Sequence, residues 1–286
     1  MSKVLKLRNL IEQPGVVVAP GVYDCIGAHL VEKTGYQAVY MGGNGAVASK
    51  LGKPDIGLAT MNQMADWAGT ISACVNLPLI CDFDNGYGDL NNVHYGIQTF
   101  ERAGIAAIHL EDQVFPKKCG AMKGVAVIPK HDAANKVKIA VKTRKEMLII
   151  ARSDCLSVRY DLDEMIGRLR AFSDAGADIL YPESVKTLHD IEKIVKSVDK
   201  PVMIDILECV DKENIPTVKQ LESVGVKIVV NALSLIWYNA MQMKKILENY
   251  MQFGDLKNFS GDMMNIHDYE RLVGIDEANS INDLLD

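Results

Sequence analysis

Residues 78–112, PLICDFDNGYGDLNNVHYGIQTFERAGIAAIHLED, decide the fold. An apolar run from Pro78 to Asp84 gives way to Asn85-Gly86-Tyr87-Gly88. An amphipathic stretch follows as far as Arg102-Ala103-Gly104, and a second apolar run, Ala106 to Asp112, begins almost at once. This is the pattern of strand, loop, helix and strand, with a glycine where the chain can turn left-handed past the last helical turn. The same stop signal recurs at Lys33-Thr34-Gly35, Asp174-Ala175-Gly176 and Ser223-Val224-Gly225.

Working outward, the unit repeats along most of the chain. The expected strands are Val16 to Pro20, Ala38 to Gly42, Pro78 to Asp84, Ala106 to Asp112, Met147 to Ser153, Ala177 to Glu183, Pro201 to Asp205 and Ile228 to Ala232. Helical patterns lie between them, among them Met61 to Val75, Leu162 to Asp174 and Thr217 to Val224. Continuously apolar strands alternating with helices argue for an all-parallel sheet covered by helices, and eight such units favour closure into a (β/α)₈ TIM barrel. A doubly wound sheet competes, but Val18-Ala19-Pro20-Gly21 puts proline where a dinucleotide fingerprint needs glycine. The expected division is a barrel over residues 1–253 and a C-terminal helical extension over 254–286, with a weak helical pattern from Ile275 to Leu285.

The 286 residues, 48% hydrophobic and 24% charged, suit one such barrel, whose usual length is about 250 residues. A net charge of −6 offers no basic footprint for nucleic acid or an anionic membrane. The apolar runs are far shorter than the roughly 18 residues of a membrane span, and Met1 to Gly15 lacks a signal-peptide core, so a cytoplasmic location is expected. Six scattered cysteines without paired spacing read as reduced thiols, five of them as small core hydrophobes. Met41, Met61, Met64, Met147, Met241, Met243, Trp67 and Trp237 are assigned to packing, and His109 to a supporting role in its strand.

Catalytic groups in such barrels come from the C-terminal ends of the strands. Those ends are acidic: Asp82 and Asp84 close the third strand, Glu111 the fourth, and Asp55 lies in the loop after the second. Period-two alternation points Asp82 and Asp84 to one side, with Glu111 at a similar height. Any one such acid could cap a helix or pair with a lysine. Four at one rim require a positive charge, and an oxygen-only set suits Mg²⁺, with Mn²⁺ possible. In the next loop Lys117 and Lys118 flank Cys119, which is expected to depress its thiol pKa. Arg152, at the end of the fifth strand, suits a bidentate carboxylate clamp or an internal pair with Glu183.

Taken together, Gly42-Gly43, Lys53-Pro54-Asp55, Asp82 to Gly88, Leu110-Glu111-Asp112-Gln113, Pro116-Lys117-Lys118-Cys119-Gly120 and Ala151 to Asp154 resemble the isocitrate lyase/phosphoenolpyruvate mutase superfamily. The likeness runs in order from about Val16 to Met241. The Lys-Lys-Cys-Gly loop is similar to the lyase branch that includes 2-methylisocitrate and 2,3-dimethylmalate lyases. The resemblance implies a direct Mg²⁺ contact for Asp82, with Asp55, Asp84 and Glu111 holding its waters. It implies Tyr40 as acceptor of the substrate hydroxyl proton, Cys119 as the acid, and Lys117, Arg152 and Glu183 beside them. Gly42, Gly43, Asn44, Gly120, Arg152 and Asp205 are the substrate-binding candidates, with Gly42 and Gly43 offering N–H groups to a carboxylate. A homotetramer with swapped C-terminal helices is also implied.

The expected reaction is cleavage of a 2-hydroxy di- or tricarboxylate to a 2-oxo acid and a second carboxylate. Oxaloacetate decarboxylation, P–C bond mutase or hydrolase chemistry, and metabolite binding without catalysis are the competing functions. Departures from the lyase pattern fall at Gly42, Asn44, Ala121, Asp205 and Leu207, and point to a smaller or less charged acid, such as a dimethylmalate-like or oxaloacetate-like dicarboxylate.

Overall fold

The computed structural model describes residues 1–207 and 215–281. Eight strands form: β1 (Val17–Pro20), β2 (Val39–Met41), β3 (Leu79–Asp82), β4 (Ala107–Glu111), β5 (Leu148–Ser153), β6 (Ile179–Pro182), β7 (Met203–Asp205) and β8 (Ile228–Asn231). Each lies within a stretch expected from sequence and is shorter by one to a few residues, because pairing stops where the chain turns into a loop. All ladders are parallel and join neighbours in sequence, with β8 returning to β1. Single bridges, Gly21 to Tyr40 and Leu180 to Val202, join the two arcs into a ring. The result is a TIM barrel.

Alternation sorts the side chains into two cores. Inside the ring, Ala19, Tyr40, Ile80, Ala107, Ile150, Tyr181, Met203 and Val230 pack together. Outward residues such as Met41, Cys81, Ile108 and Ile149 pack against the helices with Met64, Ile97, Phe100 and Leu169. Two residues beyond the inward layer, on the same face, stand Gly42, Asp82, His109, Arg152, Glu183 and Asp205. The rim is therefore the last layer of the barrel's own packing pattern.

Local chemistry fixes the helices. Thr60 and Gln63 form a reciprocal capping box at the start of helix Met61–Cys74, and Gly35 ends helix Cys25–Thr34 at φ +96°. Among the described helices not read from sequence, two matter for the barrel. Helix Lys3–Glu12 plugs the lower end of the barrel with fully buried Leu7, and Gly43–Leu51 follows β2 directly. Glycine is poor in a helix interior, and Gly43 and Gly45 concealed the second one.

Helix Ser234–Phe253 corrects one expectation. None of its 20 residues is buried, so Met241 and Met243 are not core packing, and Trp237 is only half-buried. Helical spacing supplies the apolar residues but does not say which surface they pack against. Gly254 ends it in the left-handed conformation. The chain later returns as helix Ile266–Leu272, where Leu272 is buried and Lys33 Nζ donates to Arg271 O at 2.9 Å. Helix Ile275–Ser280 forms within the weak pattern, whose end lies outside the described residues, as does Cys209. Cys81 and Cys155 are buried, whereas Cys25 and Cys74 are only half-buried. Among the described residues, no helix is long and apolar enough to cross a membrane.

Candidate active site

A cavity of about 40 Å³ at the C-terminal rim is lined by Tyr40, Gly42, Gly43, Asn44, Asp55, Asp82, Glu111, Lys117, Cys119, Gly120, Arg152, Glu183 and Asp205, among others. Asp84 stands behind this wall. The chain leaves the extended conformation there, with Asp84 at φ +47°, so alternation ends at Asp82, where β3 stops. Asp84 is instead held by its N–H donating to Asp82 Oδ1 at 2.9 Å.

The positive charge among these acids is Lys117. Its Nζ lies 2.7 Å from Asp55 Oδ1 and 2.5 Å from Asp84 Oδ1, and all three residues are buried. Burial opposes the ammonium charge, but Asp84, Asp82 and Asp55 hold its pKa well above the usual lysine value. Burial raises Asp84 to about 7 against the pull of Lys117, with Asp82 and Asp55 adding to the rise. Asp82 shifts the other way. Burial works against its charge, yet the His109 ring and the Lys117 and Arg152 cations hold its carboxyl below the ordinary range. Glu111 is pushed up by burial and by Asp154, and its Oε1 is buried with no hydrogen-bond partner among the described residues.

Such an orphaned carboxylate oxygen asks for a cation or water. The donors around it are carboxylates, which fit a hard divalent ion. Among the described residues, no three His, Cys, Asp or Glu side chains converge tightly enough to hold an ion alone. Gly43 is required beside the acids, because a Cβ there would meet Asp82 Oδ2 at 2.9 Å and Lys117 Nζ at 3.0 Å.

Asp82 also changes what the β2 loop can offer. Gly43 N–H donates to Asp82 Oδ2 at 2.9 Å, capping the N-terminus of helix Gly43–Leu51. In this conformation that N–H is engaged by Asp82, an anion at the helix start. Deeper in the barrel the Tyr40 hydroxyl lies 2.8 Å from His109 Nε2, and His109 Nδ1 lies 3.6 Å from Asp82 Oδ1. Burial lowers His109 to about 4, leaving a neutral ring, and raises the Tyr40 hydroxyl well above its usual value.

Arg152 is gripped first by Asp154, with Nε and Nη2 donating at 3.0 and 2.7 Å. Glu183 at 3.4 Å and Glu111 at 3.5 Å are more distant. Asp154, the main partner, was not singled out from sequence. It is positioned in turn by Asp112, whose carboxylate accepts from Ser153 Oγ at 2.6 Å, Asp154 N at 2.9 Å and Arg168 Nη1 at 3.0 Å.

Gln113 was also missed. It ties the cysteine loop down by donating to Lys118 O and accepting from Lys118 N, each at 2.9 Å. Its one sequence signal was its place directly after Glu111-Asp112. Cys119 N–H donates to Asp55 O at 3.0 Å, and Asn44 Nδ2 lies 3.4 Å from the thiol sulfur. The expected depression of the thiol pKa does not occur. Burial raises it above the ordinary thiol value, outweighing Asn44, because Lys117 is committed to the acids rather than to the sulfur. Gly120 is required where Arg152 passes, since a Cβ would lie 2.6 Å from Nη2.

A barrel whose rim carries these acids, arginine and cysteine matches known proteins along nearly its whole length, and the sequence model of phosphoenolpyruvate phosphomutase covers residues 7–251. The chain belongs to the phosphoenolpyruvate mutase/isocitrate lyase superfamily. Among its relatives in that superfamily, the 2-methylisocitrate lyase of Aeropyrum pernix is 35% identical, covering 93% of this chain and 89% of the relative. The 2,3-dimethylmalate lyase of Eubacterium barkeri is 32% identical, covering 98% and 97%. A solved superfamily structure, oxaloacetate acetylhydrolase with 3,3-difluorooxalacetate, superposes with a TM-score of 0.93 at 28% identity, covering 99% and 96%.

Proposed function

We propose that the chain is a Mg²⁺-dependent carbon–carbon lyase that cleaves a 2-hydroxy dicarboxylate of the 2,3-dimethylmalate type to a 2-oxo acid and a second carboxylate. The observation that carries this reading is the Cys119 thiol, held beside Asn44 on the wall that also presents Tyr40 and Arg152. A thiol kept protonated by burial suits an acid that must deliver a proton at neutral pH. The relatives named as lyases support the same reading.

Asp82 would hold the ion, and Asp55, Asp84 and Glu111 its waters; bound there, Mg²⁺ or Mn²⁺ would lower the cost of negative charge on the substrate oxygens. The chain's own groups supply the rest. Arg152 offers its remaining N–H donors to the carboxylate next to the hydroxyl, while Asp154 fixes its plane. The carboxylate facing His109 Nδ1 favours the tautomer with hydrogen on that nitrogen, so Nε2 accepts from Tyr40. Tyr40 takes the substrate hydroxyl proton as its own passes to His109 Nε2. The C–C electron pair stays with the departing carbon, and Cys119 Sγ–H protonates that carbon. Lys117 stands among the acids, and Glu183 supports Arg152 from the other side. Asn44 and Gly120 shape the substrate wall near Cys119, and Gly42 and Asp205 border the same cavity.

The division into a barrel of residues 1–253 and an extension of 254–286 fits the left-handed stop at Gly254. The exposed apolar residues of helix Ser234–Phe253 suit burial between subunits, in a homotetramer with swapped helices.

The test is a panel of 2-hydroxy di- and tricarboxylates with Mg²⁺, assayed for 2-oxo acid release. Cleavage of 2,3-dimethylmalate, abolished by Cys119→Ser, is expected. Release of pyruvate from oxaloacetate that survives Cys119→Ser would instead mark a decarboxylase, because water can protonate that enolate. Efficient turnover of 2-methylisocitrate with smaller acids inert would overturn the dicarboxylate assignment.

A further inference from the structure

Two of the cysteines expected in the core, Cys25 and Cys74, are only half-buried, and neither lines the rim cavity. Cys25 opens helix Cys25–Thr34, and Cys74 closes helix Met61–Cys74. The two helices pack against each other, with Ala28, Val31, Ala65, Ala68 and Ile71 in one buried core. We propose that Cys25 and Cys74 are a redox modification site, where a small-molecule disulfide such as oxidised glutathione converts the two thiols into a reversible bond between the helices.

Hydrogen bonds bring the sulfurs together. Cys25 Sγ donates to Thr70 O at 3.8 Å, and Cys74 Sγ donates to the next carbonyl, Ile71 O, at 3.2 Å. Thr70 O is also the carbonyl that accepts from Cys74 N–H in the last turn of the helix. The first sulfur therefore lies against the turn that carries the second. The two thiols are in addition hydrogen-bond partners of each other. The buried core beneath holds the pair in place, while half-exposure admits a reagent. Other described cysteines are placed differently: Cys81 and Cys155 are buried, and the Cys119 sulfur has Asn44 beside it.

The exchange balances in two steps. The Cys25 thiolate attacks one sulfur of the reagent, forming a mixed disulfide and expelling one glutathione thiolate, which takes up the proton that Cys25 lost. Cys74 then gives up its proton and attacks the Cys25 sulfur, and the second glutathione leaves as a thiol. The protein loses two hydrogens with their electrons, and the reagent gains them. Burial first, and then the hydrogen bond to Cys25, push the Cys74 thiol up to about 12 against the pull of the Lys3 ammonium. Cys25 is therefore the sulfur that meets the reagent, and Cys74 the one that resolves the adduct. Held in contact, Cys74 reacts ahead of a second molecule of reagent.

The experiment incubates the folded full chain with oxidised glutathione at pH 8, quenches in acid, alkylates the remaining thiols and maps the peptides by mass spectrometry. The expected result is a peptide linked through Cys25 and Cys74, an intact mass lower by two hydrogens, and reversal by dithiothreitol. The link should form roughly tenfold faster in the folded chain than in urea. Cys74→Ser should stop at a glutathione adduct on Cys25. Accumulation of that adduct in the unaltered chain with no linked peptide overturns the proposal. A link that forms no faster in the folded chain than in urea, or adducts confined to Cys119, overturns it as well.

Discussion

The Lys117 ammonium lies 2.7 Å from the Asp55 carboxylate, although 62 residues separate them, and it also touches Asp84. The cysteine loop is thereby anchored in the group of acids proposed to hold the metal. Replacing the lysine with methionine leaves buried acids without their cation, a loss of about 3 kcal/mol. In thermal unfolding, Lys117→Met is expected to melt lower than the unaltered chain without Mg²⁺ and to gain more in Tm when Mg²⁺ is added. Equal melting temperatures without Mg²⁺ would show that the lysine does not offset the acids' charge.

The Cys119 thiol should be a slow nucleophile. Its pKa is raised by burial, so at pH 7 the thiolate fraction is below that of a free cysteine. Alkylation by iodoacetamide, followed by mass spectrometry, is expected to be slower at Cys119 than for free cysteine at pH 7 and to accelerate above pH 9. Fast modification at pH 6 would mean that the flanking lysines control the sulfur after all.

Gly120→Ala tests the close approach of the loop to Arg152, since the added carbon would sit 2.6 Å from Nη2. The guanidinium must shift from its bidentate grip on Asp154. A misplacement of this size costs about a hundredfold in rate. Steady-state kinetics should show that loss in kcat/KM with Tm changed by only a few degrees. Full activity would remove Arg152 from the list of positioned groups.

His109 gives the protein an acid-side dependence of stability. Its pKa is about 6.5 when unfolded and about 4 in the fold, where burial excludes the charged ring. The unfolded chain therefore binds the proton more readily. The stabilising contribution is complete above pH 6.5 and is lost as pH falls toward 4, by about 3 kcal/mol. Because Asp84, raised to about 7, works in the opposite direction over the same range, the loss is read as the difference between the unaltered chain and His109→Gln in urea unfolding at pH 7 and pH 4.5, the variant losing less stability or gaining more on acidification. An unchanged slope in the variant would assign the acid sensitivity elsewhere.

Much of the fold was legible because barrel construction is repetitive. Each β/α unit writes the same apolar run and glycine stop, so eight strands could be found from period and turn chemistry alone. Asp82, Arg152 and Glu183 could be placed near one another for the same reason, as strand-end residues sharing a rim, whereas Tyr40 and Asp205 came from the family resemblance. Helix Gly43–Leu51 escaped because two glycines masked its period. The methionines of helix Ser234–Phe253 misled because helical spacing does not say what a face packs against.

The sequence by itself determined the barrel and the strand ends that form its rim, since strand alternation is a local property of the backbone, although Asp84, expected at the rim by the same alternation, turns away where β3 stops. The tertiary structure alone decided who pairs with whom: Lys117 with Asp55 and Asp84, Arg152 with Asp154 ahead of Glu183, Gly43 with Asp82, and a Cys119 thiol raised rather than lowered. Electrostatic partnership depends on burial and on distances of a few ångströms between loops far apart in the chain, and neighbouring letters in the sequence carry neither.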